Sequence, residues 1–188
     1  MDTIEALAEN ESQEKHPWRW GIILIWVVVL GVLIVLGLAL TRSRQGPVGV
    51  GEKAPSFVLT TFDGDKIDFE SLHGKVVVIN FWASWCGPCE QEAAELEQAY
   101  QSFKDQDVVF LGVDYVDTET EALAYLSKFN ITYPNGPDLR TEISQTFRMT
   151  GVPETYIVGK DGTLVDVKIG PYTSLTEIEN AVLNALQQ

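Results

Sequence analysis

The stretch Val76-Val77-Val78-Ile79-Asn80-Phe81-Trp82-Ala83-Ser84-Trp85-Cys86-Gly87-Pro88-Cys89 decides the fold. Val76–Trp82 is an apolar run interrupted only by Asn80, which suits a strand buried on both faces. Two cysteines follow three positions apart, and a helical pattern starts near Cys86 and runs to about Phe103. The first turn of a helix leaves N–H groups unpaired and carries a partial positive charge, which stabilises a thiolate. Cys86 is therefore the expected nucleophile, and Cys89, one turn further in, the resolving thiol.

On the C-terminal side, Val108–Val113 reads as another buried strand. Thr118 with Glu121 three residues later forms a capping-box pattern, and Tyr125–Phe129 continue that helix. Thr141–Phe147 predicts a short helix. Thr155–Val158 and Thr163–Ile169 flank Lys160-Asp161-Gly162 as a hairpin, and Ser174 with Glu177 caps a final amphipathic helix. On the N-terminal side, Phe57–Thr61 and Lys66–Phe69 predict strands joined at Asp63-Gly64. Strands alternating with helices, then a closing hairpin and helix, imply an α/β fold: a mixed central sheet with helices on both faces.

Further upstream the composition changes abruptly. Gly21–Leu40 is 20 residues without a charge, dominated by Ile, Leu and Val. As a helix it spans about 30 Å, the hydrocarbon thickness of a bilayer. Trp18, Trp20 and Trp26 suit an interfacial belt, and Arg42 and Arg44 close the other end. A cleaved signal would have a shorter apolar stretch and a small-residue site, and Ala39-Leu40-Thr41 matches poorly. The expected organisation is an acidic, disordered tail at 1–19, a transmembrane anchor at 20–41, a Gly-rich linker at 42–51 and a domain at 52–188. Lys15 and Arg19 before the span balance Arg42 and Arg44 after it, so charge does not orient it.

The net charge is −14, and no basic stripe is visible, which argues against nucleic acid as a partner. The only other soft ligands for zinc are His16 and His73, which do not complete a four-ligand set around the cysteines. Covalent haem attachment needs His after the second Cys, where Glu90 stands. No cofactor is expected. His73 reads as exposed, Trp82 and Trp85 as shaping the site, and Asp114 and Asp117 as turn or cap residues at a strand end.

Val78–Cys89 resembles the active-site segment of thioredoxin-like proteins. The fuller pattern looks like the membrane-tethered group typified by TlpA, ResA and the DsbE-type cytochrome c maturation proteins. Ala54-Pro55-Ser56-Phe57 is similar to the opening strand that this group shares with the peroxiredoxin superfamily. Gly151-Val152-Pro153-Glu154-Thr155 resembles the loop whose cis-proline faces the redox pair. The resemblance covers roughly residues 51–186. It implies a thioredoxin-like fold, redox-active Cys86 and Cys89, a cis bond before Pro153, and an N-terminal anchor holding the domain outside the cytoplasm in a single-pass membrane protein. The implied partners are protein thiols and disulfides, such as apocytochrome c or its maturation factors, a transmembrane electron donor, and the lipid bilayer.

Ordinary thioredoxins place a buried Asp six residues before the first Cys, and this chain has Asn80 there. Another base must then assist Cys89. Glu92 is i+3 from Cys89 and nearest the apolar helix face. Glu154, after Pro153, is the second candidate, expected to lie across from Cys89. Two other functions compete with disulfide reduction. Peroxide reduction is the first, although peroxiredoxins place Thr or Ser where Ala83 stands. The second is a tethered peptide-binding or chaperone module.

Overall fold

The computed structural model describes residues 18–43 and 46–188. Most of the acidic tail, with Lys15 and His16, and Arg44 and Gln45 of the linker lie outside the described residues. The chain divides into two units, Met1–Gln45 and Gly46–Gln188. The first contains α1, Trp18–Ser43. Its Trp20–Ala39 segment is long and apolar enough to cross a membrane, with a mean hydropathy of 3.2 and none of it buried. A core helix of a soluble domain would be covered; this one is bare.

The second unit is built on a five-stranded sheet. In chain order its strands are β3 (Val76–Trp82), β4 (Val108–Tyr115), β5 (Asn135–Asp138), β6 (Glu154–Val158) and β7 (Leu164–Ile169). They lie in the order β5-β4-β3-β6-β7. β3 runs parallel to β4, and β4 to β5, while β6 is antiparallel to both β3 and β7. A separate hairpin joins β1 (Val58–Thr60) to β2 (Lys66–Asp68), and Gly64 supplies the positive φ of its turn. The helices are α2 (Gly87–Phe103), α3 (Glu119–Lys128), α4 (Glu142–Thr146) and α5 (Leu175–Leu186).

Every residue of β3 is buried, because α-helical and irregular layers cover both faces of the sheet. Strand alternation sorts its side chains. Val77, Ile79 and Phe81 join Leu59, Phe69, Phe147 and Tyr156 in the core under the hairpin and α4. Val76 and Val78 join Leu96, Phe103, Ile178 and Val182 under α2 and α5. Near the C-terminal end of β3 a third cluster gathers Trp82, both cysteines, and Ala122 and Tyr125 of α3. The caps are the expected ones: Thr118 Oγ1 and Ser174 Oγ each accept the N–H three residues on, at 3.3 Å.

Two readings need correction. No strand was expected at Asn135-Gly136-Pro137-Asp138, whose composition is that of a turn. Tertiary pairing overrides it: β5 adds to β4, and Phe62 N–H donates to the Asn135 carbonyl at 2.9 Å. Gly136 is required there, since a Cβ would sit 2.2 Å from the Thr60 carbonyl oxygen. β4 also continues past Val113, so Asp114 is a fully buried strand residue rather than a turn residue.

Candidate active site

Cys86 is the N-cap of α2, with extended backbone (φ −91°, ψ 101°), and Pro88 lies in the first turn. Its Sγ accepts the Cys89 N–H at 3.1 Å, so the cap role usually taken by an oxygen falls to sulfur. The two cysteines form a disulfide with Cα atoms 5.3 Å apart, and both are buried. Val152 packs against their cluster, which sets its loop beside the redox pair, and the Val152–Pro153 bond is cis.

Trp82 forms the floor. Its ring stacks on Tyr125 at 4.5 Å and its Nε1–H donates to Asn135 Oδ1 at 2.8 Å. Gly112 makes room for that bond: a Cβ would fall 1.7 Å from Asn135 Oδ1. Trp85 differs, being 59% exposed, with Nε1–H donating to the Val116 carbonyl at 3.2 Å. A groove of about 350 Å³ opens beside it, lined by Trp85, Glu90, Glu121, Tyr125 and Lys128 among others.

The two candidate carboxylates lie on opposite faces of the sheet. Glu92 is 1% exposed on α2. One oxygen accepts Asn80 Nδ2–H at 3.0 Å and the other the Tyr172 backbone N–H at 2.7 Å. Asn80 uses its second amide hydrogen on Thr155 Oγ1 at 2.9 Å. An ionised Asp at position 80 would repel Glu92; an amide donates to it instead. Burial pushes the Glu92 carboxyl up to about 7, against the lowering effect of the Tyr172 and Asn80 bonds and of Lys168. Lys168 itself pairs with Glu177.

Glu154 pairs with Phe81 in the β3–β6 register, so its side chain shares the Phe81 face, away from Asn80 and Cys89. The expected placement across from Cys89 is thereby corrected. One oxygen accepts Thr150 N–H and Oγ1–H, both at 2.7 Å, and Gly151 N–H at 3.2 Å. The other accepts the Tyr156 hydroxyl at 2.6 Å. Four donors fill this carboxylate and tie down the loop that leads into Pro153. His73 is exposed, as expected, and bonds Glu70 at 3.1 Å.

Sequence reading missed the Tyr172 N–H, the buried Asp114 and the Asn80 bridge. Backbone donors and cross-strand partners leave no residue-type signal. Only the Asn80 substitution within the Val78–Cys89 segment pointed toward one of them.

An oxidised Cys-x-x-Cys at the head of a helix, fed by a central strand and flanked by a cis-proline loop, defines a thiol–disulfide oxidoreductase of thioredoxin-like fold. The chain belongs to the AhpC/TSA family, whose model matches residues 50–167. It is similar to the thiol-disulfide oxidoreductase ResA of Bacillus cereus, 30% identical over 162 residues, which cover 86% of this chain and 92% of that protein. Among solved structures it is similar to a thiol:disulfide interchange protein of the thioredoxin family from Chlorobium tepidum. That match has a TM-score of 0.67 and 27% identity, covering 74% of this chain and 99% of the other. A secreted Mycobacterium tuberculosis disulfide oxidoreductase homologous to E. coli DsbE matches with a TM-score of 0.62 and 27% identity, over 68% and 94% of the two chains.

Proposed function

We propose that α1 anchors the chain in the membrane and that the domain reduces disulfides of extracytoplasmic proteins, such as apocytochrome c during cytochrome c maturation. In this reading residues 1–19 are a tail, 20–41 the anchor, 42–51 the tether and 52–188 the catalytic domain. The Cys86 thiolate attacks a substrate disulfide, giving a mixed disulfide and one substrate thiolate. Cys89 passes its proton to Glu92 and attacks Cys86, releasing the second substrate thiolate and re-forming the Cys86–Cys89 bond. Two electrons move to the substrate, and a transmembrane dithiol donor restores the reduced pair. Pro153 borders the peptide-binding side of the pair, and Glu154 braces its loop.

The observation that carries this reading is the buried Glu92 carboxyl, one helical turn beyond Cys89 and held in place by Asn80 and Tyr172. A group with its pKa near the working pH is suited to proton transfer. Peroxide reduction is disfavoured by the buried Ala83, which has no hydroxyl to offer. The test is a Cys89→Ser variant expressed in cells, where the stalled mixed disulfide is captured and its partner identified. Extracytoplasmic partners, an apocytochrome among them, are expected; exclusively cytoplasmic partners overturn the assignment.

A further inference from the structure

The turn after β4 holds the segment that leads into Cys86. Asp117 is buried, its Oδ2 accepts the Ser84 N–H at 2.7 Å, and its Oδ1 accepts Thr118 N–H at 2.7 Å. Val116, just before it, has φ 48°, a left-handed conformation that a β-branched residue rarely adopts. The Val116 carbonyl receives the Trp85 indole N–H at 3.2 Å. Strain of this kind persists where surrounding contacts over-determine it, often at functional sites. Beside the turn lies Asp114, 0% exposed, which receives no N–H or hydroxyl donor from the described residues and whose side chain, when protonated, donates to the Asp117 carboxylate.

We infer that Asp117 is a positioning residue for Ser84–Cys86, and that Asp114 is a buried neutral acid whose ionisation releases that grip at alkaline pH. A buried carboxylate with no donor of its own is strongly disfavoured, and the acid form alone can share its proton with Asp117, so it persists through neutrality. Burial, reinforced by the negative charge of Asp117, pushes Asp114 up to about 8. When Asp114 ionises, two anions occupy one turn, and their repulsion pulls Asp117 from the Ser84 N–H.

The other groups around Asp114 do not supply this transition. In register it pairs with Trp82 on β3 and Pro137 on β5, neither of which titrates. Asp138 pairs with Tyr115 and so faces the opposite side of the sheet. On α3, Tyr125 is pushed further up by burial, and Glu119 and Glu121 are exposed. On α2, Glu90 is exposed and salt-bridged to Lys128. Glu92, itself pushed up to about 7, is tied to Asn80 and Tyr172 and not to the Ser84 segment, so the Ser84 transition should persist in Glu92→Gln. The two cysteines do not ionise while they form the disulfide.

The kinetic consequence rests on Cys86 being the attacking thiol; the ionisation itself does not. The test uses the full chain in detergent micelles. In the oxidised protein, the side-chain carboxyl carbon of Asp114 and the amide proton of Ser84 are followed by NMR from pH 5 to 10. A protonated Asp114 at pH 7 and a Ser84 shift with a midpoint near pH 8 are expected, the latter abolished in Asp114→Asn. In the reduced protein, attack on a model disulfide is expected to fall several-fold above that midpoint. Asp117→Asn should slow the attack below the midpoint and lose the alkaline fall, and Asp117→Glu should restore part of the rate. An ionised Asp114 carboxyl at pH 6 in the wild-type chain overturns the inference without any variant. A Ser84 transition that survives in a folded Asp114→Asn chain overturns it too. Failure of Cys86 to react first, with the Asp114 and Ser84 signals as expected, counts instead against the proposed catalytic order.

Discussion

At the level of single residues, the two candidate carboxylates make opposite demands on experiment. Glu92 has two hydrogen bonds and an elevated pKa, while Glu154 accepts four hydrogen bonds in a loop. General-base assistance contributes about 10²–10⁴ in rate. Glu92→Gln is expected to slow mixed-disulfide resolution at pH 7 by about 10²-fold, within that range, with recovery at alkaline pH as Cys89 ionises unaided. Stopped-flow measurement checks this, and in the wild type resolution should accelerate as pH rises through about 7. Stability moves the other way. The unfolded chain ionises Glu92 near 4.5 and the folded chain only near 7. Its contribution is therefore full below about pH 4.5 and is lost as pH rises through 7, by on the order of 3 kcal/mol. Oxidised Glu92→Gln should lose less stability than wild type between pH 5 and 8 in urea melts. Glu154→Gln keeps an amide oxygen for the Thr150 and Gly151 donors but removes the charge that strengthens those bonds, so a loss of about 1 kcal/mol is expected. The pH profile of resolution should stay that of the wild type; a profile altered like that of Glu92→Gln would make Glu154 a base.

At the level of elements, unbroken apolar runs, capping residues and Asp-Gly turns announced most of the strands and helices in the sequence. β3 appears with the predicted limits because seven buried positions in a row admit few alternatives. α3 and α5 start at their capping residues, and Ser174→Ala should cost about 1 kcal/mol in equilibrium unfolding, as lost caps do. β5 was illegible, since its four residues carry turn chemistry and gain strand geometry only from β4 and the neighbouring hairpin. Gly112 was equally silent, yet it decides where Trp82 sits. Gly112→Ala would drive Asn135 Oδ1 from a 1.7 Å overlap and take away the acceptor of the Trp82 indole. A loss of about 1–3 kcal/mol from that stranded donor is expected, with altered Trp fluorescence as the local readout.

At the level of the whole molecule, the bare apolar helix and the redox domain lead to a location prediction. The chain should stay with the membrane fraction after an alkaline wash that strips peripheral proteins, and a membrane-impermeant thiol reagent should label reduced Cys86 without inner-membrane lysis. Extraction by the wash, or labelling only after lysis, counts against a tethered extracytoplasmic domain. What the amino-acid order by itself determined was the redox pair, its helix, the buried central strand, the mixed α/β fold and the apolar segment. Each of these is written in local periodicity or spacing, which survive without knowledge of neighbours. Tertiary structure alone decided that Glu154 lies on the opposite face of the sheet, that Asn80 and the Tyr172 N–H hold Glu92, and that Asp114 lies dry beside the Asp117 turn. The reason is physical: a carboxyl group's ionisation depends on burial and on donors brought from residues up to 80 positions away in the chain. Only the closed sheet brings those residues together.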